Sequence, residues 1–548
     1  MENKTLQSPA RILAADPAIP GMPERTLLPR PRINGAYRLL AVGCAVVALA
    51  SLVLILRAGN PVQAYLVNSD AFYLPVLFDD LLVHGGSLAD WYLTPAPYFF
   101  PDFLLYLLAW LGGKDVFQQV TLFALLQIVL TGVALYVLAR QALASSRLLA
   151  ALGLTLLFAW LGLHAGGPYV YLFSSAHHYG AFVLALLLVT LWFRRDDDRS
   201  SANGGNLHRL GGAAVAILVF FATLSDALFL VQAVLPLTLT AVLGRRGAAR
   251  AAGPRQALVL LLAPALAAMV SYRFVVAHPT RYKTRLGLEQ IGMHVDEMTQ
   301  VAAALFGPHP LLAVVLLPVL LAGAACCITL LRGQHVAGLP RQHVLLLSFA
   351  TLSCAASVTL MLLSINVQAV PRYLIAALSW PLVAALFALV HLLGQRFRHA
   401  GLGLLLLLTT LLAWQAWQAR SLRDSDRYFY PEQIACIDRT LARANAQRGI
   451  AQYWDAKLLQ ALSRRDLTLA QYFGTLEPMQ WITSQRFFSE RYDFAIVAED
   501  ASPEFRLPRE QLIALNGEPL QSVSCGNRTV LLFGSAGLRT GPAISNVR

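Results

Sequence analysis

Residues 66–102 read LVNSDAFYLPVLFDDLLVHGGSLADWYLTPAPYFFPD, and the fold turns on them. The stretch follows the first long apolar run and holds five carboxylates: Asp70, Asp79, Asp80, Asp90 and Asp102. Between them lie Phe72, Tyr73, Trp91, Tyr92, Tyr98, Phe99 and Phe100. Such rings concentrate where lipid meets water, because one end is apolar and the other wet. Pro75, Pro95, Pro97 and Pro101 forbid a single continuous spanning helix. The stretch is expected as an acidic, aromatic loop (57–102) on a membrane face, partly folded into short amphipathic helices.

Composition agrees. Of 548 residues, 57% are hydrophobic and only 13% charged, with a mean hydropathy of +0.57. A soluble chain carries about a quarter charged residues, so a polytopic α-helical membrane protein is expected. Lysine occurs only at 4, 114, 283 and 457, so arginine supplies the net charge of +13. Arginine-rich inner loops account for that excess, and no nucleic-acid motif is present. Cys44, Cys326, Cys327 and Cys354 lie in apolar runs, where a thiol behaves as a small hydrophobe. Cys436 and Cys525 fall in the polar C-terminal region, where pairing and remaining free are both open.

Outward from the acidic loop, residues 1–36 are Pro- and Arg-rich and expected as a disordered cytosolic tail. Residues 37–56 suit a first span, since about 20 apolar residues cover about 30 Å of hydrocarbon. Residues 103–111 are too short to cross and are expected as a half-helix. Further spans are expected at 116–139, 148–163, 179–193, 211–224, 227–243, 257–276, 311–331, 344–363, 373–393 and 402–417, giving about eleven within a domain at 37–419. Counting basic residues in the short loops puts the N-terminus inside and the acidic loop outside. Residues 420–548 are compositionally ordinary. GIAQYW, LTLAQYF, FAIVAE and VSCGNRTVLLFG suit strands, and 455–463 and 508–515 suit helices. A small extracytoplasmic α/β domain is expected there.

This topology delivers Asp70, His178, Asp226, Arg281, Lys283, Arg372 and Tyr373 to one outer boundary. Arg372 begins a span on the outer side, against the usual inner bias of arginine. That set suits transfer from a polyprenyl-phosphate donor. A carboxylate can take the proton from an acceptor hydroxyl, and arginine or lysine can neutralise the phosphate that leaves with the lipid. Asp70 is the candidate base; its competing role is to cap an interfacial helix. Arg281, Lys283, Arg372 and Tyr373, with His178, Asp226 and Asp80, are the candidate donor-binding residues. Asp79 and Asp80 better suit a solvated loop face than an assisting or metal-holding role, and His294, Asp296 and Glu297 suit an exposed helix face. No metal or cofactor is assigned.

The early outer-loop Asp70, PYFFPDFLLYLLAWLGG before the next span, and PRYL at 371–374 resemble the membrane-integral GT-C glycosyltransferases, most of all the bacterial branch that includes aminoarabinose and mannose transferases. The resemblance is architectural and spans about residues 37–417. It implies a GT-C-like helical fold, a catalytic aspartate at Asp70, a polyprenyl-phosphate-linked sugar donor, and a lipid, glycan or protein acceptor at the outer face of the cytoplasmic membrane. The chain departs from the family pattern in PAPYFFPD, which lacks adjacent prolines, and in Asp226, where many relatives carry lysine or threonine. A lipid-linked glycan polymerase or ligase would need a larger late loop with several arginines. A transporter or assembly factor would more readily hold its ionisable groups at mid-membrane.

Overall fold

The computed structural model describes residues 35–58, 66–198, 205–245, 254–279, 285–336, 338–365, 367–420, 430–534 and 537–541. The expected class is observed, a mostly helical membrane body joined to a small sheet-containing C-terminal region. The tail expected at 1–36 lies outside the described residues except for its last two.

Among the described residues, eight segments are long and apolar enough to cross a bilayer. They are Gly35–Arg57, Val116–Ala142, Arg147–His164, His208–Ser225, Pro254–Val275, Pro310–Leu331, Arg341–Leu363 and Pro371–Ala419. The last holds two helices, Ile375–Leu393 and Phe397–Ala419, parted by a 3-10 turn at Gly394–Arg396. Gly394 has φ +52°, a left-handed conformation that suits glycine. Two expected spans do not meet that measure. The helix Tyr179–Asp198 ends in RRDDD, and Leu230–Gly244 is too short. The expected half-helix is present as Phe99–Gly112, opening with a π-turn at Phe99–Phe103. Gly35–Arg57 packs along Phe397–Ala419, and Arg341–Leu363 along Ile375–Leu393. Their buried faces, with Val116–Ala142 and Arg147–His164 between them, make one continuous apolar core.

The acidic loop is not a free rim. Its helix Tyr73–Leu82 buries Tyr73, Leu74 and Leu77 in a second core, which it shares with the half-helix and one face of the C-terminal sheet. Trp91–Leu93 (β1) pairs in parallel with His278–Pro279 (β2), and Arg285–Leu286 (β3) pairs with Ser364–Ile365 (β4). The C-terminal region contributes Arg448–Ala451 (β5), Thr468–Gln471 (β6), Thr483–Ser484 (β7), Phe494–Ala498 (β8), Gln521–Cys525 (β9) and Arg528–Leu532 (β10). β7 pairs antiparallel with β1, so loop and C-terminal region share a three-stranded sheet.

The other strands form a sheet in the order β6-β5-β8-β10-β9, parallel through β8 and antiparallel beyond it. β8 is buried at every position, as a central strand covered on both faces requires. Cys436 and Cys525 form a disulfide with Cα atoms 5.6 Å apart, tying the helix Glu432–Ala444 to β9. That amphipathic helix was not anticipated from the sequence. His294, expected on an exposed face, is buried, its Nδ1 3.4 Å from the Leu362 carbonyl.

Candidate functional site

Asp70 sits in the turn that opens the helix Tyr73–Leu82. Asn68 Oδ1 accepts from Ala71 N at 2.9 Å and sets the turn. Asp70 does not cap the helix, because its two carboxylate oxygens are used elsewhere. Oδ2 accepts from Arg372 Nη1 at 2.8 Å, and Oδ1 accepts from the Tyr453 hydroxyl. Arg372 comes from the 3-10 turn Pro371–Leu374, and Tyr453 from the C-terminal region. Three segments distant in sequence therefore converge on one carboxylate whose side chain is only 16% exposed.

Local sequence explains the placement of Tyr453. The Gln452 side chain accepts from Trp454 N at 2.9 Å and caps a helix immediately after β5. The chain therefore turns one residue past the strand end, and Tyr453 opens the helix Tyr453–Leu462 rather than extending a strand, as GIAQYW had suggested. Ser69 Oγ donates to the Tyr453 carbonyl at 2.7 Å and locks the two segments together.

Electrostatics set the protonation states. Burial opposes ionisation of Asp70, but the Arg372 guanidinium, aided by the Tyr453 hydroxyl, holds its carboxyl below the usual range. Burial and then Asp70 itself push the Tyr453 phenol well up, so it remains a donor. Burial drives His177 down to about 4 despite the nearby Asp70 carboxylate, leaving it neutral. The Nε of Arg372 is buried without a partner, so part of the guanidinium's donor capacity is unspent.

Beside this pair runs a second polar chain. Asp226, at the tip of a helical hairpin, lies 2.7 Å from His178 Nδ1, and His178 Nε2 lies 3.2 Å from the Tyr98 hydroxyl. Tyr373 packs its ring against His178 at 5.3 Å and lies under the Arg372 guanidinium at the same separation. The Tyr373 carbonyl accepts from Gln232 at 2.8 Å, which fixes the PRYL turn. Ser225 Oγ bonds both the N–H and the carbonyl of Phe100, at 2.8 and 2.7 Å, so the aromatic loop is pinned to the hairpin. Asp102 is buried and accepts from Ala176 N at 3.0 Å; burial pushes its carboxyl up to about 7.

Of the residues singled out from sequence, Asp70, Arg372, Tyr373, His178 and Asp226 are brought together. Asp80 serves a different contact: it accepts from Trp91 Nε1 at 2.8 Å and pairs with Arg486 at 3.3 Å. Its carboxylate is spent on holding the loop to the C-terminal region. Arg281 and Lys283 lie outside the described residues. Sequence reasoning missed Tyr453, Tyr98 and Lys457. Lys457 is buried one turn beyond Tyr453, with Nζ 4.3 Å from that ring's centroid and 3.0 Å from Gln471 Oε1.

No protein-family model and no curated protein sequence matches the chain. Among solved structures it is similar to ArnT from Cupriavidus metallidurans bound to undecaprenyl phosphate, at TM-score 0.49 and 13% identity over 94% of this chain and 100% of that one. The apo form of the same protein aligns at TM-score 0.42 and 14% identity, over 91% of this chain and 97% of that one.

Proposed function

We propose that the chain is a GT-C-like glycosyltransferase that moves a sugar from a polyprenyl-phosphate donor to an envelope acceptor at the outer face of the cytoplasmic membrane. In this reading the C-terminal α/β region is extracytoplasmic and covers the site. The observation that carries it is the Asp70 carboxylate held between Arg372 and Tyr453.

The chemistry balances on those groups. The acceptor hydroxyl oxygen bonds to the anomeric carbon as the bond from that carbon to the phosphate oxygen breaks, inverting the centre. The proton goes to Asp70, and the electron pair leaves with the polyprenyl phosphate, whose charge rises from minus one to minus two. Arg372 is the cation within reach, and guanidinium binds phosphate in bidentate fashion. Before the donor arrives, Arg372 holds Asp70 weakly basic. A phosphate that draws on the same guanidinium relaxes that hold and makes Asp70 a better base where the acceptor needs one. Tyr453 keeps the carboxylate aimed, while Asp226, His178 and Tyr98 shape the wall beside it. Arg281 and Lys283 would add charge for the donor phosphate.

The test is complementation of a deletion strain, with envelope glycans read by mass spectrometry. Asp70→Asn is expected to insert at normal levels and leave the glycan profile at the deletion state. Restoration of the wild-type profile by that variant would refute the assignment.

A further inference from the structure

An arginine-lined cavity lies far from Asp70. Arg38 stands near the start of Gly35–Arg57, whereas Asp70 follows the end of that helix, so the two lie roughly 30 Å apart along its axis. The cavity, of about 390 Å³, is lined by Arg38, Arg147 and Arg398, with Tyr37, Tyr136 and Ser146. The three arginines come from three helices, Gly35–Arg57, Arg147–His164 and Phe397–Ala419. No carboxylate lines the cavity, and among the described residues none pairs with these arginines.

A single inner-face arginine is ordinary. Three that line one hollow without a carboxylate partner, though partly open to solvent, make a concentrated positive field that attracts anions. Two further observations aim at the same volume. Ser146 precedes the helix Arg147–His164 but does not cap it, and its Oγ is buried with no hydrogen-bond partner. The first turn of that helix therefore presents uncapped N–H groups and a positive dipole end beside an unsatisfied hydroxyl. Arg147 is held in place by its Nε, which donates to the Leu143 carbonyl at 2.7 Å.

We propose that this cavity binds the phosphate of an anionic phospholipid headgroup. A lipid is favoured over a free ion because exposed apolar strips lead away from the cavity on two of its walls. Leu39, Val42 and Val46 line one helix, and Val133 and Val129, following Tyr136, line the other. Acyl chains would lie along those strips, with the phosphate between the arginines. The site is independent of the transfer chemistry proposed at Asp70.

The experiment places full-length protein in phosphatidylcholine nanodiscs doped with phosphatidylglycerol and reads bound lipid by native mass spectrometry, with inorganic phosphate as a competing arm. Wild-type protein is expected to retain phosphatidylglycerol over phosphatidylcholine, undisturbed by millimolar phosphate. Arg38→Gln, Arg147→Gln and Arg398→Gln should each weaken retention about fivefold, the worth of one basic residue at an anionic surface. Arg396→Gln, a neighbouring exposed arginine outside the cavity, should leave it unchanged. Ser146→Ala, which alters no charge, should weaken retention a few-fold and keeps the test valid if an arginine variant fails to fold. Equal retention in all variants would overturn the site. Equal loss in Arg396→Gln would reduce it to diffuse surface charge, and displacement by inorganic phosphate would overturn the lipid as its source.

Discussion

Replacing Lys457 by Met should stabilise the protein in mildly acidic solution and destabilise it in alkali. Lys457 is 3% exposed, and burial depresses its amine from 10.5 to about 7, an effect the Asp70 carboxylate only partly offsets. The unfolded chain therefore binds a proton that the folded chain lacks between about pH 7 and pH 10.5. Stability contributed at this site rises with pH through that window and is lowest below it. The displacement corresponds to on the order of 5 kcal/mol of penalty below pH 7, and to under about 1 kcal/mol at pH 10. Methionine, an unbranched chain of similar reach, removes the penalty but leaves Gln471 Oε1 without its donor, at a cost of about 1–3 kcal/mol. The net is a gain of about 2–4 kcal/mol at pH 6 and a loss of up to about 2 kcal/mol at pH 10. Thermal unfolding of the detergent-solubilised protein, followed at both pH values, reads the difference. A shift in midpoint of the same sign and size at both would refute the burial argument.

Reducing the Cys436–Cys525 disulfide, which closes a separation of 89 residues, should cost the C-terminal region about 4–5 kcal/mol by loop entropy, read as a lower unfolding midpoint under reductant. Gly180→Ala should destabilise by about 1–3 kcal/mol, because an added methyl would collide with the Asp102 carboxylate and Pro101; protein yield and melting temperature check this. Tyr453→Phe removes one charge-assisted hydrogen bond of about 1.5–3 kcal/mol from Asp70, so the acid limb of the transfer rate should move to higher pH. Asp70, held below its ordinary value of 3.8, contributes stability above that pH and loses it as the pH falls further. The thermal unfolding midpoint of Asp70→Asn should therefore fall less than that of wild type as the pH is lowered below 3.8.

Long apolar runs made the helical body legible, because backbone polar groups in lipid must be satisfied within the helix. The pairing of Asp70 with Arg372 was approachable from the expected topology, in which an arginine opening a span on the outer side needs a purpose there. Asp226 and His178 were expected at the same boundary, but their direct contact was not legible, because they sit 48 residues apart in different loops and sequence distance carries no proximity. Tyr453 was hidden by its setting. An apolar run ending in Gln-Tyr-Trp suits a strand, and only the Gln452 cap turns it into a helix start that faces Asp70. The helix Glu432–Ala444 has the apolar spacing of an amphipathic helix, in Ile434, Ile437 and Leu441, but no side-chain cap to announce it. Asp80 was taken for a substrate contact because a carboxylate in an aromatic loop does not reveal that an indole and a guanidinium will claim it.

The most direct test of the account is binding of polyprenyl phosphate to purified Asp70→Asn and Arg372→Gln proteins, measured beside wild type. In the proposed reading Asp70 and the donor phosphate share one guanidinium, so Asp70→Asn is expected to bind polyprenyl phosphate about tenfold more tightly while transferring nothing, and Arg372→Gln to bind it more weakly than wild type. Unchanged binding in both variants would contradict the shared guanidinium and, with it, the placement of the donor at Asp70.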